Sequence, residues 1–359
     1  NGDSPLFAAA LVGLLLQAPA TPSRPALSPQ SSFAERIASL SEAPGYFDTD
    51  NLISNERSYL QVIPDLRAPV LRGGAYIGVG PDQNFSYIAT LRPSIAFIID
   101  IRRDNMLLHL LLKALFQVSR TRAEYLALLT GRPVPPQVER WRDASIERLV
   151  HYIAVTRVDP AANDKLRVRL KDVISRFGVG LSHEDFETID RFHRRFIDAG
   201  IALQFQSTGR PPQSHYPTYR ELLLARDAEG KASNYLALEE AFQTVKALQA
   251  RDLIIPVVGN LSGPSALAAI GGFMKQRGDT LAALYASNVE FYLFGEGTFR
   301  DFAANLRRVP HSNNSLIVRS VFGRWRGPDG SSSQTQSIAA MLDAVQNGRI
   351  RSYRELVDY

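Results

Sequence analysis

The chain has 359 residues, 45% of them hydrophobic and 21% charged, which is enough for one large domain or two of medium size. It contains no cysteine. Disulfides, thiolate zinc sites, iron–sulfur clusters and a cysteine nucleophile are therefore excluded. The net charge of +5 would suit an anionic partner. The richest charged stretch, Glu139 to Arg176, nevertheless interleaves both signs as a solvated helix face does. Without a basic stripe, no nucleic-acid partner is expected.

Leu6 to Leu16 is an unbroken apolar run followed by Gln17-Ala18-Pro19-Ala20. The run is short of the roughly 20 residues that span a bilayer. It fits the apolar part of a secretory signal, with small residues before a cleavage point after Ala20. Residues 1–20 are thus expected to direct export to the periplasm or beyond. A helix packed on a cytoplasmic domain is the alternative, because no basic segment precedes the run. Residues 21–32, rich in Pro and Ser, read as a linker. No other segment is long and apolar enough to be transmembrane.

Phe33 to Leu40 has the spacing of a short amphipathic helix, and Ser54 could cap another through Leu60. Ala75 to Gly80 reads as a strand ending in glycines. A helix follows from Asp82 to Leu91, stopped by Pro93. Ile95 to Ile101 is an apolar run suited to a parallel strand buried on both faces. Asn105 to Gln117 is apolar nearly all round and reads as a buried helix. Residues 123–200 have helical character and no comparable strand run, so they are expected to form a helical insertion. It would separate an N-terminal part (33–122) from a C-terminal part (201–359) of one α/β domain. Strand character returns at Ile201 to Gln206. A helix at Asn234 to Ala250, a strand at Leu253 to Val258 and a helix begun by Pro264 at its first position follow. Strands at Leu281 to Tyr285 and Leu316 to Val321, a loop at Arg326 to Ser333 and one or two closing helices complete the chain.

The densest chemistry lies between Gly74 and Asp100. Gly78-Val79-Gly80 joins a strand to a helix, where glycine allows close backbone approach to a ligand and the helix offers unpaired N–H groups. Asp100 ends the next strand, 20 residues after Gly80. An acid there can accept both hydroxyls of a ribose. A tight turn and an ordinary strand-end acid would look the same. Gln83 stands where a dinucleotide fingerprint has its third glycine, and Pro81 removes one N–H, so NAD and FAD are disfavoured. No GxxxxGK[ST] P-loop is present.

The segments GGAYIGVGPDQNFSYIATLRPSIAFIIDIRRDN, DNLISNERSYLQVIP and YASNVEFYL resemble a family of largely uncharacterised bacterial proteins. Their fold is similar to class I S-adenosylmethionine-dependent methyltransferases. The resemblance runs from about Tyr46 to Arg319. It implies a Rossmann-like, mostly parallel sheet with flanking helices, and S-adenosylmethionine as cofactor. Asp82 departs from the common GxGxG turn by replacing its last glycine. In such folds a segment like Asn55, Glu56 and Tyr59 covers the methionine end of the cofactor; a capped helix with a surface acid reads equally well. Gly78, Gly80, Gln83 and Asn84 would surround the turn. Asp100, Ile101 and Arg102 would face the nucleoside. Gly259, Asn260, Asn288 and Glu290 end later strands on the edge where α/β ligands bind.

The expected function is thus a methyltransferase-like protein that binds S-adenosylmethionine or a related nucleoside, its small-molecule substrate undefined. The alternative is an exported binding or structural protein that kept the fold and lost the chemistry. Export would itself argue against a cytoplasmic cofactor. A serine hydrolase using Ser262 with His183 or His311 is a third reading, without a GxSxG elbow behind it. No metal site is expected, since His183-Glu184 lacks the second histidine of HExxH.

Overall fold

A computed structural model describes residues 30–207, 216–322 and 330–359. The apolar run Leu6 to Leu16, the cleavage point after Ala20 and nearly all of the linker lie outside the described residues. The fold is mixed α/β. Six strands, β1 (Ala75–Val79), β2 (Ala96–Asp100), β3 (Ile254–Val258), β4 (Leu281–Ser287), β5 (His311–Phe322) and β6 (Ser331–Ser337), form one sheet in the order β3-β2-β1-β4-β5-β6. Neighbouring strands are parallel except the last pair, β5 and β6. This is a Rossmann-like sheet. Its order reverses between β1 and β4, and in open α/β sheets that crevice is where ligands bind.

The central strands form because they are apolar on both faces: every residue of β1 and β3 is buried, and all of β2 but Asp100. Pro256 is tolerated in β3 because β3 is an edge strand. The helix Arg103–Val118 carries the chain away from β2 and is buried along most of its length, as its all-round apolarity predicts. Between residues 122 and 199 stand the helices Arg122–Leu129, Ile146–Val155, Pro160–Ser175 and His183–Ala199, with a 3-10 turn and no strand among them. The last two pack on Arg103–Val118.

Several local expectations need correction. Ser54 does not cap a helix. Its Oγ accepts the N–H of Glu56 at 3.1 Å, closing a local turn, and only Ile63–Leu66 is helical. Ile201 to Gln206 is no sheet strand. Gly200, at φ 54°, breaks the chain into a 3-10 turn, and only isolated bridges pair Gln204 with Thr218 and Ser207 with Thr49. The helix expected from Asn234 begins at Glu239, after the short helix Tyr219–Leu224 and a run of turns. Pro264 precedes the helix Ala266–Arg277, which Ser265 opens. Ser331 to Ser333 belong to β6 rather than to a loop. The tail closes on two helices, Ile338–Gln346 and Tyr353–Asp358. No helix among the described residues is long and apolar enough to cross a membrane.

Candidate functional site

A cleft of about 530 Å³ opens at the carboxyl ends of β1 to β4. Gly80, Asp100, Gly259 and Ser287 mark those strand ends, and Tyr46 to Asn55 supplies part of the opposite wall. Of the residues singled out from sequence, Asn55, Gly80, Gln83, Asp100, Ile101, Arg102, Gly259, Asn260 and Asn288 line it. Gly80 adopts φ 82°, a left-handed backbone that suits glycine. Beneath it, His109 Nε2 donates to the Gly80 carbonyl at 2.9 Å. Burial lowers the His109 pKa to about 4, so the ring is the neutral Nε2–H tautomer.

Asp100 is held by its neighbour. Oδ1 accepts the Arg102 backbone N–H at 2.9 Å and Nε–H at 3.1 Å, and Oδ2 accepts Nη2–H at 3.0 Å. Arg102 Nη1 also donates to the Thr49 carbonyl at 2.9 Å. An ionised carboxylate has about four lone-pair sites, so one side of Oδ2 remains for a ligand donor. Arg103 is committed elsewhere, to Asp185.

The remaining sequence candidates hold the fold behind the cleft. A Cβ on Gly78 would lie 2.0 Å from Asn84 Oδ1 and 2.5 Å from the Tyr76 hydroxyl, so this glycine makes room for side chains, not for a ligand. Asn84 closes the turn. Nδ2 donates to the carbonyls of Val79, Gly80 and Pro81 at 2.9, 3.3 and 2.8 Å, and Oδ1 accepts from Tyr76 at 2.7 Å. Tyr59 donates to the Leu222 carbonyl and accepts from Asn234, both at 2.8 Å. Glu290 is buried against Arg319 at 2.6 and 3.1 Å. Glu56 is fully buried and accepts from Tyr285, Ser287 and Ser320. Burial raises its pKa, and these three hydroxyls pull it partly back.

Other residues were not among the site candidates read from the sequence. Glu42 reaches the loop after β3: Oε1 accepts the Asn260 N–H at 2.9 Å, and Oε2 accepts those of Ser265 and Ala266 at 3.0 Å. It thus fills the N-terminus of Ala266–Arg277, where an anion would otherwise be favoured. Ser287, a non-glycine residue at φ 53°, ends β4 on the cleft wall. Asp82, at the missing glycine, is buried under the turn and accepts from Tyr219 at 2.9 Å and Tyr235 at 3.1 Å. Burial raises its pKa to about 6 against those two hydroxyls. An acid in place of GxGxG's last glycine therefore ties the turn to the aromatic core.

The hydrolase pairing is not assembled. Ser262 Oγ donates to Asn260 Oδ1 at 3.1 Å. His183 is exposed beside Glu187. His311 begins β5, at the start of a strand that β2, β1 and β4 separate from β3 and the loop after it. Among the described residues, no group of three or more His, Asp or Glu side chains could hold a metal. A second cavity, of about 390 Å³, lies between Pro160–Ser175 and His183–Ala199. Leu170, Ile174, Phe186 and Ile189 line it beside the ion-paired Arg167 and Asp190.

Comparison with known families places the chain. It belongs to the family defined by a domain of unknown function, DUF7790, which matches residues 51–140 and 202–355. The break in the match spans the helices from Ile146 to Ala199. No curated protein matches the chain.

Proposed function

We propose that this member of the DUF7790 family binds a nucleoside-bearing small molecule of the S-adenosylmethionine type, on a class I methyltransferase-like fold. One observation carries the reading: the Gly80 turn and the strand-end Asp100 line one cleft, beside the point where the strand order reverses. The cleft's volume falls within the roughly 300–1,000 Å³ of small-molecule sites. Gly80 leaves the backbone open to a ligand, and Asp100 offers an acceptor to a ribose hydroxyl. Asn55, Asn260 and Asn288 add polar groups that could orient a ligand.

Methyl transfer from a sulfonium needs positioning more than it needs a strong acid or base. The cleft can therefore be active although no His or Lys stands among its described lining residues. That same composition favours the second reading, a binding protein on this fold that performs no chemistry. Thermal-shift screening against S-adenosylmethionine, S-adenosylhomocysteine and adenosine tests ligand binding. At 100 times its dissociation constant a ligand adds about 2.7 kcal/mol of stability. No shift with any of the three would reject the nucleoside reading. Binding without methyl transfer to any acceptor offered would favour the second.

A further inference from the structure

Glu56 is a fully buried carboxylate with no ion pair among the described residues. Such a group is costly unless hydrogen bonds or a function account for it. The groups facing it are the hydroxyls of Tyr285 and Ser287 from β4 and Ser320 from β5, with the Tyr76 and Tyr87 side chains close enough to feel its charge. Tyr285 and Ser320 are themselves buried. Ser287 is half-buried and lines the cleft. Of the three hydroxyls on the carboxylate, only that of Ser287 belongs to a residue lining the cleft; Tyr285 reaches it through Gln83, whose side-chain amide donates to the Tyr285 hydroxyl at 3.2 Å. Ser287 also holds a left-handed backbone, which costs an ordinary L-residue about 1–2 kcal/mol. Strain of this kind gathers at functional sites.

We propose that Ser287 is a base-activated hydroxyl that relays a proton from a hydroxyl or amine group of a cleft-bound molecule to Glu56. The ligand's O–H or N–H proton moves to Ser287 Oγ as the serine's own proton moves to Glu56 Oε1. The ligand atom keeps the electron pair and becomes nucleophilic, and the carboxylate becomes a carboxylic acid. Release of product lets the proton return by the same route. Ser287 is the catalytic residue here, and Glu56 acts through it. The inference rests on the cleft being a ligand site, and it sets the substrate class as one bearing an ionisable O–H or N–H.

An alkyl fluorophosphonate tests this without any nucleoside. Ser287 Oγ attacks phosphorus, fluoride leaves, and the serine proton passes to Glu56. Mass spectrometry of the purified full chain should find Ser287 modified, with a rate that rises with pH as Glu56 ionises. Glu56→Gln should slow labelling roughly a hundredfold, and Ser287→Ala should abolish it. Ser262→Ala, at a serine that neither lines the cleft nor touches Glu56, should leave the labelling of Ser287 unchanged. If Glu56→Gln does not fold, the wild-type pH profile decides. Absence of label at Ser287, a rate independent of pH, or an unchanged rate in a folded Glu56→Gln would each overturn the relay. Labelling in a protein that binds no nucleoside would keep the relay and remove the S-adenosylmethionine reading. Nucleoside binding without labelling would do the reverse.

Discussion

Asp100 and Arg102 close on each other at the end of β2, with Arg102 Nε 3.1 Å from Oδ1 and Nη2 3.0 Å from Oδ2. The pair sits on the cleft wall, its two side chains 10% and 8% exposed. The acid proposed to receive a ribose is thus pre-positioned by its neighbour, and a ligand must share or displace the guanidinium. Asp100→Asn should weaken nucleoside binding about tenfold or more, since charged acceptors contribute roughly 1.5–3 kcal/mol per hydrogen bond. It should also cost about 2 kcal/mol of stability, somewhat below the ~3–5 for breaking a fully enclosed pair. Calorimetric titration beside a urea melt separates the two effects. Lost stability with unchanged affinity would assign Asp100 to Arg102 alone.

Gly78 and Gly80 differ in role although one motif contains both. Gly78→Ala puts a methyl 2.0 Å from Asn84 Oδ1 and should be severely destabilising, by about 3 kcal/mol or more. Gly80→Ala meets nothing nearer than Gln83 Nε2 at 3.3 Å and should cost only the left-handed backbone, about 1–2 kcal/mol. Denaturant melts of the two variants check the order. A milder effect at Gly78 would contradict the packing given for it.

Burial sets two opposed pH dependences under the turn. Asp82, raised from 3.8 to about 6, contributes stability that is present below pH 3.8 and lost as pH rises through about 6. His109, lowered from 6.5 to about 4, contributes stability that is present above pH 6.5 and lost as pH falls through about 4. The two offset each other between pH 4 and 6. Relative to wild type, Asp82→Asn should tilt the stability profile upward with pH across this window, by on the order of 3 kcal/mol in total, while the buried Glu56 contributes alike to both proteins. His109→Gln should tilt it the other way. Urea melts at three pH values suffice, and parallel profiles in both variants would show that neither group titrates as described.

Glu290 and Arg319 form a buried pair behind β4. Glu290→Gln should cost about 3–5 kcal/mol, the range for stranding a buried charge. It should leave ligand affinity unchanged, because Glu290 does not line the cleft. A titration showing altered affinity at unchanged stability would return Glu290 to the binding set.

The sheet was legible where burial wrote itself into composition. β1, β2 and β3 are continuous apolar runs, and Gly80 and Asp100 are placed by the strand–turn–helix–strand rhythm alone. β6, SSSQTQS, carried no such mark, since an edge strand is held by backbone pairing with β5 and needs no apolar face. Acids near strand ends were the least readable. Asp100 and Glu290 looked alike as strand-end acids, and Glu56 read as an acid covering the cofactor or on a helix surface, yet the first lines the cleft, the second pairs with Arg319 and the third sits behind the cleft on hydroxyls. Which way such a side chain turns is settled by partners on distant strands. Glu42 was invisible for the same reason, as the N–H groups it accepts lie 218 to 224 residues away.

The most direct measurement is calorimetric titration of S-adenosylmethionine and S-adenosylhomocysteine into the purified full chain, with Asp100→Asn run in parallel. The account predicts saturable binding at one site per chain, weakened about tenfold or more in the variant. Absence of binding by either compound, or equal binding by wild type and Asp100→Asn, would contradict it.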